Sequence, residues 1–479
     1  MIFTLFMHAQ LKKCNLFATL KEKRYFCDQT ITKTHLLIMN ILIVGTGYAG
    51  LVTGACFADL GVNVTCVDSD ARKINLLLYG GLPIYEQGLE DMVKRSVAAR
   101  RLNFTSNFSN VFDNVDYVFC AVDTPPAQDG GTDLTQVIDT ATQFAQNINN
   151  YAVFIIKSTV PLGTSKKIKE LIKSILDERQ VDFEFDVVSN PDFLTEGNAI
   201  KNFMKPDRII LGVDNERSRK AMDTLYHPLK FKYFPVIYTD STTAEMIKYA
   251  ATSMLATRVS FMNEIANLCE IVGADINTVR HGVGTDSRIG PKYIYPGCGY
   301  GGTLFPKDIN DLINIAEKNG YSMEVLKAVD KVNSRQKQRL FEKFRDYYGG
   351  DIKGKTVALW GLSFKPNTDD IRESPAITTI DMLLQAGCHV RVYDPVAMNA
   401  IKFRWNDIYC ALDIYDAVNK ADAVMLVTEW RQFRVPSWEK VKEAMKTPLI
   451  IDGRNIYDGN ELEDMGFTYY CIGKEPSSK

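Results

Sequence analysis

Nothing in the composition points to a charged polymer, a bilayer or a metal. Lys and Arg number 56 against 58 Asp and Glu, a net charge of −2, so the basic excess of a nucleic-acid binder is missing. No apolar run approaches the roughly 18 residues of a membrane helix, which excludes a spanning chain. The ten cysteines (Cys14, Cys27, Cys56, Cys66, Cys120, Cys269, Cys298, Cys388, Cys410 and Cys471) include no C-x-x-C pair and no disulfide-framework spacing. That scatter predicts reduced thiols, no metal site and a cytoplasmic protein. What remains is ordinary: 46% apolar, 24% charged and 11% aromatic residues, which excludes disordered and low-complexity classes. The 479 residues suggest two to four domains at roughly 100–200 residues each.

Residues 1–38 differ from the rest. They carry a net charge of +4, whereas 39–479 carry −6. The apolar stretch Met1–Met7 is short and precedes the lysines, which argues against a signal peptide and leaves a targeting role as the minority reading. Met39 stands directly before a strand-turn-helix pattern. The expectation is a leader outside the fold, either a mis-assigned start or a disordered tail, with the working chain beginning at Met39.

From Asn40 the pattern turns to alternating strands and helices. An apolar run ends at Val44 and is followed by Gly45-Thr46-Gly47-Tyr48-Ala49-Gly50, then a helical stretch, then a second strand ending at Asp68. A G-x-G-x-x-G between strand and helix, with an acidic residue closing the next strand, is the dinucleotide-binding arrangement. Gly45 serves the tight turn, Gly47 lets backbone approach a pyrophosphate, and Gly50 lets helix and strand pack. Asp68 selects NAD over NADP by accepting from the ribose, and Lys73 nearby softens that choice. Further strands are expected over Val115–Val122, Tyr151–Ser158 and Phe185–Val188, each running into a polar, proline-bearing loop. Loops at successive strand ends build a site at one edge of a parallel sheet.

Thr242 to about Gly273 reads as one long helix with no internal glycine or proline, suited to joining domains and to a subunit interface. A second helical stretch is expected over Leu326–Tyr348. The α/β pattern then resumes, but its first turn is Gly361-Leu362-Ser363-Phe364-Lys365, without the dinucleotide fingerprint. The predicted fold class is therefore α/β, with two Rossmann-like doubly wound domains joined by a long central helix. The expected boundaries are 39–240 for an NAD-binding domain, 241–350 for a helical connector and dimerisation region, and 351–479 for the second nucleotide domain.

Several stretches in this order resemble the UDP-glucose/GDP-mannose dehydrogenase family: GTGYAGLVTGACFADLG, STVPLGT, NPDFLTEG, MIKYAATSMLATRVSFMNE, DSRIGPKYIYPGCGYGGTLFPKD, GLSFKPNTDDIRESPA and IDGRNIYDG. The resemblance covers about 39–475. It implies NAD as cofactor, a nucleotide sugar as substrate with UDP-glucose favoured over GDP-mannose or UDP-N-acetyl sugars, and at least a homodimer. It implies oxidation of the sugar C6 alcohol to a carboxylate in two hydride transfers, the second through a cysteine-bound thiohemiacetal.

Residue by residue, Lys248 resembles the lysine that stabilises the oxyanion, Asp308 the carboxylate that orients water with it, and Thr159 a water-positioning threonine. A bare-helix lysine is usually solvated, and Asp308 could equally cap a helix beginning near Ile309. Tyr48, Ala49, Thr124, Thr159, Glu196 and Arg372 are placed with the cofactor. Phe193, Leu194, Lys248, Tyr300, Gly301, Lys365 and Arg454 are placed with the nucleotide sugar, and Arg288 with a neighbouring subunit's substrate.

Three positions depart from the family pattern. Leu304 occupies the place of the nucleophilic cysteine, Thr252 that of an asparagine, and Asp192 that of a glutamate. Leucine forms no thiohemiacetal. Cys298, six residues upstream, reads as a small residue filling a turn. The expectation is a dehydrogenase whose second oxidation is lost or rebuilt, the alternatives being a silent NAD- and nucleotide-sugar-binding paralogue or a dehydrogenase of another nucleotide sugar.

Overall fold

The computed structural model describes residues 39–109, 111–127, 131–230, 234–402 and 404–474. The expectation for residues 1–38, with Cys14 and Cys27, falls outside the described residues. Among those described, fourteen strands form two sheets. The first contains β1 (Asn40–Val44), β2 (Asn63–Val67), β3 (Leu102–Thr105), β4 (Tyr117–Cys120), β5 (Ala152–Ile156), β6 (Phe185–Ser189), β7 (Ile209–Gly212) and β8 (Val236–Thr239). Their order is β3-β2-β1-β4-β5-β6-β7-β8. The first six strands are parallel, and β7 joins β6 antiparallel where Ser189 faces Gly212. The second sheet contains β9 (Thr356–Trp360), β10 (His389–Tyr393), β11 (Ile408–Cys410), β12 (Ala423–Leu426), β13 (Leu449–Asp452) and β14 (Thr468–Cys471). It runs β11-β10-β9-β12-β13-β14, all parallel.

Each sheet feeds two cores because neighbouring side chains on a strand point to opposite faces. Ile41 and Ile43 of β1 enter one cluster, while Leu42 and Val44 enter another. Val357 and Leu359 of β9 likewise face away from Ala358 and Trp360. Helices cover both faces, so the central strands are apolar along their whole length.

The long helix spans Ser241–Val272, 32 residues. Asp240 caps its start by accepting from the Thr243 N–H, and Gly273, with φ of 73°, ends it in the left-handed conformation. The single helix expected over 326–348 is instead two, Glu324–Gln336 and Arg339–Tyr347. The interruption changes partners: Leu326 and Val329 pack with Tyr249 of the long helix, whereas Leu340 and Phe344 enter the core of the second sheet. One uninterrupted helix could not turn its apolar stripe to both. No helix among the described residues is long and apolar enough to cross a membrane.

Candidate functional site

The first turn of the first sheet is shaped to leave space. Gly45 has φ of 103°, and a Cβ there would lie 2.4 Å from the Ala121 carbonyl oxygen. A Cβ on Gly50 would lie 2.0 Å from the Gly45 oxygen. Packing therefore demands both glycines, but not Gly47, whose added Cβ would meet only an Asp123 oxygen at 3.7 Å. The helix Tyr48–Asp59 begins there without a side-chain cap or an acidic first turn, so its N–H groups remain available to an anion. Asp68, directly after β2, braces the turn: Oδ2 accepts from the Thr46 N–H (2.8 Å) and hydroxyl (2.7 Å), and Lys73 Nζ lies 3.8 Å away. Tyr48, next to Ala49, bonds its hydroxyl to Glu86 and accepts the Gly197 N–H. The Thr124 hydroxyl donates to the Thr159 carbonyl (3.0 Å), tying the loop after β4 to that after β5.

A buried charge cluster follows where β5, β6 and the long helix meet. Lys248 Nζ donates to the Asp192 carbonyl (2.6 Å) and stands 3.9 Å from Asp308. Asp308 is fully buried, and neither carboxylate oxygen has a hydrogen-bond partner among the described residues. Burial pushes this carboxyl above its ordinary range, and Lys248 pulls it back. The Thr252 hydroxyl donates to the Lys248 carbonyl (3.0 Å). Asp192 is met on its other side by Lys157, 3.8 Å away, a lysine whose own pKa is lowered chiefly by burial. Phe193 lies beneath Lys248 and Arg208, at 5.5 and 4.2 Å from the ring centre. Phe193, Leu194 and Lys157 border a small pocket of about 70 Å³.

A much larger cleft, about 920 Å³, opens between the two sheets. Glu196, Tyr300, Gly301, Leu304, Lys365 and Arg454 all reach it. Glu196 bridges the domains by accepting from the Thr368 hydroxyl (2.7 Å), and burial, then Asp370, push its carboxyl up to about 7. Burial lowers the Lys365 pKa, with Glu196 opposing the shift. Leu304 opens the helix Leu304–Lys318 at the cleft wall, one turn before Asp308. The expected cap role of Asp308 is therefore corrected. Thr303 precedes the helix, and Pro306 is tolerated in its first turn because N–H groups there have no intrahelical acceptor.

Arg288 and Arg372 lie apart from both the charge cluster and this cleft's walls. Arg288 is 87% exposed and forks onto Asp286. Arg372 forks onto Asp370, while its carbonyl accepts the Gly302 N–H (2.8 Å). Sequence reading missed the residues that hold the glycine-rich loop 297–302. Asn263 accepts the Gly297 N–H, Gln336 donates to the Gly297 carbonyl, and Asn333 both accepts from and donates to the Tyr300 backbone. It also missed Lys157 and the cleft residue Glu429. Amides and charges scattered over helices and strand ends form no local motif that would have revealed them.

Residues 39–230 match the NAD binding domain of the UDP-glucose/GDP-mannose dehydrogenase family, 242–335 its central domain and 358–459 its UDP binding domain. The chain belongs to that family. It is 43% identical over 442 residues to a UDP-glucose 6-dehydrogenase of Pseudomonas aeruginosa, covering 91% of this chain and 98% of that one. It is 43% identical over 439 residues to one of Rhizobium meliloti, covering 91% and 100%. The structure of a UDP-glucose dehydrogenase from the hyperthermophilic archaeon Pyrobaculum islandicum matches with a TM-score of 0.84 at 32% identity, covering 92% of this chain and 99% of that one.

As a UDP-glucose/GDP-mannose dehydrogenase family member, the chain is an NAD-dependent oxidoreductase. The first turn fits that cofactor: Gly47 leaves the approach open, the uncapped helix start faces it, and Asp68 closes the next strand. Among the described residues, the lining of the large cleft includes Leu304 and no cysteine. Cys298 is fully buried in the second-sheet core with its sulfur against the Val427 carbonyl (3.8 Å), and burial pushes its thiol up.

Proposed function

We propose that this chain oxidises the C6 alcohol of UDP-glucose and that its reaction stops mainly at the two-electron, aldehyde stage. The observation that supports this reading is the pairing of a buried Lys248–Asp308 couple with Leu304 one helical turn away at the cleft wall. NAD, when bound, accepts the hydride. Lys248 supplies a cationic donor for the alkoxide that develops as the hydroxyl proton leaves. Asp308, raised by burial and with no hydrogen-bond partner for its carboxylate oxygens among the described residues, orients a water with Lys248 to carry that proton. Asp192 borders the same region, with Lys157 beside its shortened side chain, and Thr159 is assigned a water-positioning role by its motif. Lys365 and Arg454 meet the negative charge of the nucleotide sugar. Leucine offers no nucleophile for the aldehyde, so the thioester route to UDP-glucuronate is closed.

The test is NADH formed per sugar consumed, with product analysis. One NADH and an aldehyde are expected, rising to two NADH and carboxylate in Leu304→Cys. Two NADH in the unmodified chain would overturn the reading. Tight binding of both ligands with no NADH would favour the silent paralogue.

A dimer belongs to the same proposal. Met254, Phe261 and Leu268 recur every seven residues along the long helix and are 61%, 57% and 52% exposed, a spacing that presents one apolar seam. Phe261→Glu is expected to shift sedimentation to the monomer.

A further inference from the structure

The second sheet also has an acidic residue directly after its second strand, and it has no capacity left for a ligand. Asp394 follows β10 and is 1% exposed. Its Oδ2 accepts from the Leu362 and Ser363 N–H groups, the Ser363 hydroxyl and the Trp430 indole, and its Oδ1 from the Val396 and Ala397 N–H groups. A ribose read in the manner of Asp68 must find its acceptor elsewhere.

Glu429 is placed for that task. The order β10-β9-β12 puts the point where the winding reverses between β9 and β12. Open parallel sheets take ligands in the crevice beyond the strand ends at such a point. The loop after β9 brings Phe364 and Lys365 to the cleft, and the loop after β12 brings Glu429 to the same cleft. Glu429 Oε2 is buried 3.4 Å from Arg454 Nε without a hydrogen-bond partner among the described residues, while the side chain is 33% exposed overall. The nearby cleft cations Lys365, Arg434 and Arg454 suit a diphosphate. A carboxylate among them would repel that diphosphate, so its favourable contact is with the neutral part of the ligand.

We propose that Glu429 accepts hydrogen bonds from the neutral donors of the bound nucleotide, ribose hydroxyl or base N–H, and so sets which nucleotide the second domain takes. The proposal rests on the nucleotide-sugar reading above. The experiment is calorimetry on the full chain with UDP, 2′-deoxy-UDP and N3-methyl-UDP, comparing the native protein with Glu429→Ala and Glu429→Gln. A hydrogen bond to a charged group predicts a Kd for UDP about 10- to 100-fold weaker in Glu429→Ala, with Glu429→Gln between. Unchanged NAD binding shows that the variants are folded. If the donor is on the ribose, the native chain discriminates against the deoxy analogue and Glu429→Ala does not. If it is on the base, the same holds for the methylated analogue. Equal UDP affinity in native chain and Glu429→Ala, or native affinity for both analogues equal to that for UDP, overturns the proposal. Failure of the native chain to bind UDP or UDP-glucose at all overturns the reading beneath it.

Discussion

The two sheets are the same construction put to different uses. Counted from its own first strand, each has the order 3-2-1-4-5-6 through six parallel strands. Each first strand is followed by a glycine with positive φ, 103° at Gly45 and 98° at Gly361. Each of these glycines donates to the last residue of the second strand, Val67 at 2.8 Å or Tyr393 at 2.9 Å. Each second strand is followed by an aspartate that braces the turn. The difference begins two residues after the glycine. In the first domain Gly47 starts a helix and keeps the backbone open. In the second the loop continues through Ser363, Phe364 and Lys365, and the next helix begins only at Pro375. A helix start gives way to a loop carrying an aromatic ring and a cation. The shared strand order thus leaves ligand choice to the first turn.

The most severe way to break the likeness is to fill either glycine. Gly361→Val would place Cβ 2.4 Å from Thr428 Cβ, and Gly45→Val 2.4 Å from the Ala121 oxygen, both at positive φ. Each should cost about 3 kcal/mol or more, measured by urea unfolding. Gly45→Val should lose NAD binding and Gly361→Val UDP binding. Next come the aspartates. Asp394→Ala leaves several buried donors unmet and should cost about 2–4 kcal/mol. Asp68→Ala should cost about 1 kcal/mol but weaken NAD about 10-fold, the outcome expected of a carboxylate that also accepts from the ribose.

The bridge between the domains gives a pH signature. The Glu196 carboxyl is raised by burial from 4.5 to about 7 in the folded chain. Its stabilising contribution is thus complete below pH 4.5 and lost as pH rises through 7. Glu196→Gln should remove this slope and gain on the order of 2 kcal/mol over the native chain between pH 5 and pH 8, read from unfolding at each pH. Smallest is Lys73→Ala, removing a partly exposed ion pair. Stability should change by under about 0.5 kcal/mol, while the preference for NAD over NADP rises a few-fold.

What could be read from sequence was whatever is local. The run before Gly45, the G-x-G-x-x-G and the uninterrupted stretch after Thr242 all declare their structure through near neighbours. Strands β7 and β8 did not: their pairing depends on Ser189 meeting Gly212 across a chain reversal. The start of the helix at Leu304 was misplaced because Pro306 reads as a breaker unless its first-turn position is known. Asp308, Lys248, Leu304 and Thr252 were singled out by motif order, which carries no distances among them. Lys157 and Glu429 acquire meaning only when distant strand ends converge.

The long helix has one consequence beyond joining domains. Lys248, beside the proposed reacting carbon, and Asn263, which holds the loop at the second domain's cleft, lie on the same rigid rod. At 1.5 Å per residue they are about 22 Å apart along its axis. The helix is therefore a ruler, and the separation between hydride chemistry and nucleotide anchor is graduated in residues. Inserting one residue between them would lengthen that separation by ~1.5 Å and rotate one end against the other by ~100°. Under the proposed function, substrate length is thus written into this protein as a number of peptide bonds.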